Sequence, residues 1–127
     1  MTKPIYILVN DLFFATKIVK TAQALALEAR AFDTASRLLE ASKQKEPALV
    51  IMDCGGMERE CYELLNAFHS EEKLSKIPFI GYLSHGAKDL SREMRAAGAN
   101  QVYTKSQFTK ELDLLLARTT HGVPSRI

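Results

Sequence analysis

The chain has 127 residues, a formal net charge of +2, 46% hydrophobic residues and 25% charged ones. This describes one globular domain, long enough to bury roughly two-thirds of its unfolded surface. A charge so close to zero, with the basic residues scattered, argues against a nucleic-acid surface; no apolar run reaches membrane-span length, and the start MTKPIYILVND breaks too early for a signal peptide, so the cytoplasm is the default location.

Strand and helix signals alternate five times along the chain. The β-branched run IYILV (5–9) reads as a strand, and Phe14, Ile18, Ala22 and Leu25 then fall on one helical face. EARAF (28–32) is a weaker strand. Asp33 or Thr34 can cap the next helix, whose Ala35, Leu38 and Leu39 point inward. Pro47 precedes ALVIM (48–52), the most apolar strand and the expected sheet centre. After the Gly55-Gly56 turn, Cys61, Leu64, Leu65 and Phe68 share one side of a helix. SEEKLSKIP reads as a polar loop and FIGYL (79–83) as the fourth strand. His85-Gly86 turns into a helix carrying Leu90, Met94 and Ala97, which Gly98 suits as a C-terminal cap. The last strand is NQVYT (100–104), and Phe108, Leu112 and Leu115 line the last helix. The domain is expected over 1–118, with 119–127, ending in HGVPSRI, as a flexible tail or linker.

Strands separated by helices of this length predict a parallel α/β sheet with helices on both faces. Strand C-termini then gather on one edge, where ligand chemistry sits. Three residues follow strands there: Asp11, Asp53 and Lys105. Two carboxylates and one ammonium in one pocket suit binding a cation and accepting a phosphoryl group. A strand-end aspartate can attack phosphorus and become an acyl phosphate. A divalent cation held by carboxylates and a fixed lysine would neutralise the developing charge. Each residue also has a plainer role: Asp11 as the N-cap of the first helix, Asp53 as a turn former, Lys105 as a solvated side chain. Cys54 and Cys61 read as reduced core or near-site thiols, with no zinc-type spacing to the histidines.

Over residues 4–118 the chain resembles the response-regulator receiver domain of two-component signalling. The resemblance rests on ILVND (7–11), PALVIMD (47–53), YELLNAF (62–68), IPFIGYLS (77–84) and AAGANQVYTK (96–105), the last being the most specific. It implies a flavodoxin-like (βα)5 doubly wound sheet of five parallel strands in the order 2-1-3-4-5. It also implies Asp53 as phosphoacceptor, Asp11 and Asp53 with the Gly55 carbonyl as Mg²⁺ ligands, and Lys105 as the phosphoryl partner. The implied partners are a histidine kinase or phosphotransfer protein and a protein output partner, engaged through the fourth helix, last strand and last helix. No enzymatic turnover is implied.

The chain departs from that family in several places. Asn10 replaces the first acidic residue and remains a weak metal-ligand candidate; the lost charge at about 4 Å is worth roughly 1–4 kcal/mol. Leu83 replaces the switch Thr or Ser, leaving Ser84 as a weak substitute hydroxyl. Val102 takes the aromatic switch position with Tyr103 displaced by one, CGGMERE follows Asp53, and Ser106 replaces a proline. Two readings follow: an atypical receiver still phosphorylated on Asp53, or a phosphorylation-independent pseudo-receiver acting as an interaction module. A nucleotide binder on the same fold lacks its motifs, since no strand is followed by GxGxxG or GxxxxGK[ST]. Of Phe13 and Phe14, one is expected in the core and the other at the mouth of the site.

Overall fold

The computed structural model describes residues 3–83 and 87–120, the side chains of 119 and 120 excepted. Strands and helices alternate as β1 (Ile5–Leu8), α1 (Leu12–Ala24), β2 (Ala29–Phe32), α2 (Ala35–Gln44), β3 (Leu49–Asp53), α3 (Glu58–His69), β4 (Phe79–Leu83), α4 (Lys88–Ala96), β5 (Gln101–Thr104) and α5 (Lys105–Thr120). The strands are all parallel, in the order β2-β1-β3-β4-β5. This is the doubly wound, flavodoxin-like arrangement, with β3 at its centre. β1, β3 and β4 are near-continuous apolar runs because helices cover both of their faces. The edge strands β2 and β5, with the mixed sequences ARAF and QVYT, are only partly buried.

Strand alternation divides the core into two layers. One holds Leu8, Val50, Met52 and Leu83 of the sheet against Leu38 of α2, Leu64 and Phe68 of α3, and Met94 of α4. The other holds Ile7, Ile51, Ile80 and Tyr82 against Phe14 and Ile18 of α1 and Phe108 and Leu112 of α5. The helix faces follow the expected spacing except at Leu25, which is the C-cap of α1 and more than a third exposed. The helix stops at Ala24 because Ala26 turns left-handed (φ 59°) and the Leu27 amide returns to the Ala22 carbonyl at 2.9 Å. That turn points Leu25 outward and gives its buried place to Leu27.

The other helix ends show similar local chemistry. Thr34, rather than Asp33, caps α2 by accepting the Arg37 amide at 3.2 Å. In the same helix Leu38 is buried, Leu39 only partly so, and Ser42 is buried with its hydroxyl donating to the Leu38 carbonyl at 2.8 Å. α4 ends as Gly98 suggested. The Gly98 amide donates to Arg95 (3.1 Å), the Ala99 amide donates to Met94 (3.0 Å), and Gly98 sits at φ +124°. Leu74, in the segment expected to be a polar loop, is buried. The His85-Gly86 turn and residues 121–127 of the tail lie outside the described residues.

Candidate functional site

Asp53 is the last residue of the central strand, so the sheet itself delivers its carboxylate to the C-terminal edge. Its Oδ1 accepts the Gly56 amide at 2.9 Å. Its backbone carbonyl accepts the Met57 amide at 3.0 Å and the Cys61 thiol at 3.6 Å. The turn 54–56 is wrapped around the side chain: a Cβ on Gly56 would lie 2.6 Å from Asp53 Oδ2. Gly56, read from sequence only as part of a turn, is therefore required for the carboxylate to hold this position.

Asp11 is the N-cap of α1. Its Oδ1 accepts the amides of Phe13 (3.0 Å) and Phe14 (3.2 Å). Its Oδ2 faces Lys105 Nζ at 3.5 Å. The Phe14 amide above all, then Lys105 and the Phe13 amide, hold this carboxyl below the usual aspartate range against a smaller opposing effect of burial. Lys105 opens α5, and its Nζ also lies 4.6 Å from the centre of the Phe14 ring. Asp11 and Lys105 thus meet as the sequence suggested, but the lysine is engaged by Asp11 rather than by Asp53. Asp11 is thus the cap of α1 and at the same time the ion-pair partner of Lys105. Of the neighbouring phenylalanines, Phe14 is buried and Phe13 is 92% exposed, the division expected.

Asn10 is exposed between β1 and α1, and Gly55 is exposed in the turn after β3. Ser84 lies outside the described residues. Leu83 packs in the layer beneath α3 and α4, on the sheet face opposite Asp53. The residue paired with Asp53 across the β3–β4 ladder is Tyr82. Paired residues on parallel strands share a face. The Tyr82 ring stacks on Phe108 (4.9 Å, 26°) and tilts against Phe14 (4.8 Å). Tyr82 is 1% exposed, and its hydroxyl has no hydrogen-bond partner among the described residues. Burial, then the Asp53 and Asp11 carboxylates, push its ionisation well above the usual tyrosine range. Sequence reading missed this residue because its proximity to Asp53 depends on strand register. Cys54 and Cys61 are buried free thiols; hydrogen bonding with Cys54, then burial, push the Cys61 thiol far up, so Cys61 stays a protonated core thiol.

Among the described residues, no three acidic, histidine or cysteine side chains gather to hold a metal ion. The Asp11 and Asp53 carboxylates and the Gly55 carbonyl are nevertheless hard oxygen donors of the kind Mg²⁺ takes. Asn10 leaves the set with one acid fewer than the family's. A cleft of about 950 Å³ opens along α1, β2 and α2, its lining including Val9, Leu12, Phe32, Arg37 and Gln44. No described helix is long and apolar enough to cross a membrane.

No family model matches the sequence, and no curated protein matches it. Solved structures do match. A response regulator from Hahella chejuensis superposes with TM-score 0.84 at 16% identity, covering 96% of this chain and 98% of that one. The chemotaxis response regulator CheY4 of Vibrio cholerae gives 0.80 at 14% identity, covering 94% and 99%. The receiver domain of the sensor histidine kinase PA1611 from Pseudomonas aeruginosa PAO1, which has a magnesium ion coordinated in its active-site cleft, gives 0.77 at 17% identity, covering 95% and 99%. The chain therefore has the fold of the response-regulator receiver domains of two-component signalling.

Proposed function

We propose that the chain is an atypical receiver in cytoplasmic two-component signalling. In this reading Asp53 accepts a phosphoryl group from a phosphohistidine on a histidine kinase or phosphotransfer protein. The observation that carries it is the Asp53 carboxylate, set at the end of the central strand and oriented by the Gly56 amide, on the sheet edge that also holds the Asp11–Lys105 pair. A carboxylate oxygen attacks phosphorus as the phosphorus–nitrogen bond breaks. The departing imidazole keeps the electron pair and takes a proton from solvent, leaving an acyl phosphate. Lys105 leaves Asp11 and pairs with the phosphoryl oxygens, neutralising charge that Asp53 alone cannot carry. Asp53 is modified, not turned over, so the domain is not itself an enzyme. Change then reaches a protein output partner through the face of α4, β5 and α5, where Leu114 is exposed.

Mg²⁺ would be held by Asp11, Asp53, the Gly55 carbonyl and, weakly, Asn10, and would supply positive charge against the negative charge of phosphoryl transfer. Asn10→Asp restores the missing carboxylate, and Mg²⁺ affinity should rise about tenfold or more, as expected for one added charge at about 4 Å. Equal affinities in a metal titration of the two proteins would contradict this ligand set.

The reading is tested by intact mass after incubation with Mg²⁺ and a small-molecule phosphodonor. The wild-type protein should gain one phosphate, and Asp53→Asn should not. Two observations favour a second reading, in which the domain is a phosphorylation-independent interaction module. Lys105 is paired with Asp11 rather than with Asp53, and Leu83 is packed away from Asp53. No mass gain in the wild type, with a control receiver labelled alongside, would establish that reading instead.

A further inference from the structure

Receivers of this kind are expected to bind one phosphoryl oxygen with a hydroxyl after the fourth strand, yet here Leu83 occupies that position and faces the opposite apolar layer. The side chain that does share the face of Asp53 is Tyr82. The two are directly paired across the β3–β4 ladder, which the Cys54 amide extends by donating to the Tyr82 carbonyl at 2.9 Å. The Tyr82 ring is fixed from two sides. It stacks on Phe108 of α5 and leans on Phe14 of α1, the same ring that carries Lys105 Nζ at 4.6 Å. Tyr82 is thus packed between the acceptor strand and the residue beneath the lysine.

The hydroxyl of this buried ring has no partner among the described residues. Buried hydroxyls almost always find one, and an orphan is retained at the expense of stability. Phenylalanine would fill the same apolar slot without that penalty. A donor buried on the sheet face of Asp53, and packed against the ring beneath a lysine that must move when the carboxylate is modified, has an evident use in the modified state. We infer that the Tyr82 hydroxyl donates a hydrogen bond to the phosphorylated Asp53 side chain, standing in for the hydroxyl lost at Leu83. This rests on Asp53 being the acceptor. It makes Tyr82 a phosphoryl-binding residue whose partner arrives only with the phosphate.

The test compares wild type with Tyr82→Phe, using beryllofluoride with Mg²⁺ as the phosphoryl analogue and Asp53→Asn as the blank. Without the analogue, the thermal midpoint of Tyr82→Phe should equal or exceed that of wild type, because an unpaired buried hydroxyl is removed. With it, beryllofluoride should bind Tyr82→Phe at least about tenfold more weakly, the scale of one hydrogen bond to a charged group. In wild type, the Tyr82 Cζ resonance of carbon-13-labelled tyrosine should also move on binding; this readout needs no variant and stands if Tyr82→Phe fails to fold. Equal affinities, or a Tyr82 resonance unmoved while beryllofluoride binds, would overturn the assignment and leave Asp53 as acceptor intact. No binding to wild type at all would overturn the acceptor reading and this inference together.

Discussion

Phe108→Ala should lower the stability of the domain by about 3–5 kcal/mol, the range for emptying a fully buried phenylalanine site. For a domain of this size that is roughly 10–20 °C in the thermal midpoint. The ring is completely buried. It stacks on Tyr82 at 4.9 Å and lies 6.0 Å from Phe14, so it holds two sheet-facing aromatics as well as its own helix. The neighbours that could collapse into the gap belong to different elements: Tyr82 is held by a strand ladder and Phe14 by a helix capped at Asp11. Collapse is therefore limited, which places the expected cost toward the upper end. Phe108→Leu keeps most of the volume and should cost less than half as much. Thermal melts of the three proteins check this; a loss under about 1 kcal/mol for Phe108→Ala would mean that the aromatic stack does not secure α5.

Gly98→Ala is expected to cost about 2–4 kcal/mol, from two separable sources. The first is backbone conformation: at φ +124° an L-residue is strained whatever surrounds it. The second is steric, since an added Cβ would clash with the Cε1 edge of the His69 imidazole at the end of α3. That imidazole is itself anchored, with Nδ1 2.7 Å from the Leu65 carbonyl. Moving it would break this bond. In a His69→Ala background the steric part disappears and the backbone part remains, so Gly98→Ala should still cost about 1–3 kcal/mol there. Urea titrations of the four proteins give the comparison directly, provided the slope of each transition is unchanged. If the substitution is harmless once His69 is gone, the left-handed turn is not what constrains this position.

Apolar runs and helical spacing made the architecture legible, because in a doubly wound sheet the central strands are buried on both faces. The FIGYL run coincides with β4, and the apolar content of the third strand is enough to place it at the centre. The errors were local. Leu25 was assigned inward because nothing in its composition marks the end of α1; Ala26 adopts a left-handed turn that sequence ordinarily reserves for glycine. Leu74 was lost in a segment whose polar residues outnumber it. At the site, strand-end position brought Asp11 and Lys105 together from sequence, since both ends are fixed by topology. What could not be read was register. Whether Asp53 looks at Tyr82 or Leu83 depends on a one-residue offset between β3 and β4 that reverses every side chain. The Gly56 amide on Asp53 was hidden for a similar reason, because a Gly-Gly turn specifies freedom rather than direction.

The lysine contact has a consequence for time scale. The Asp11 carboxylate and Lys105 ammonium are both 40–50% exposed at 3.5 Å, so water and salt compete for each throughout. Phe14 supports the ammonium beneath, and half of the Lys105 side chain is exposed. An exposed side chain of this type reorients in picoseconds to nanoseconds, far faster than a sheet or helix can shift. Lys105 can therefore leave Asp11 quickly, and on the proposed reading its arrival at a new negative charge on Asp53 follows that charge without delay. On the proposed reading, the slow event is the making and breaking of the bond at Asp53, and the lifetime of that bond sets the duration of the signal.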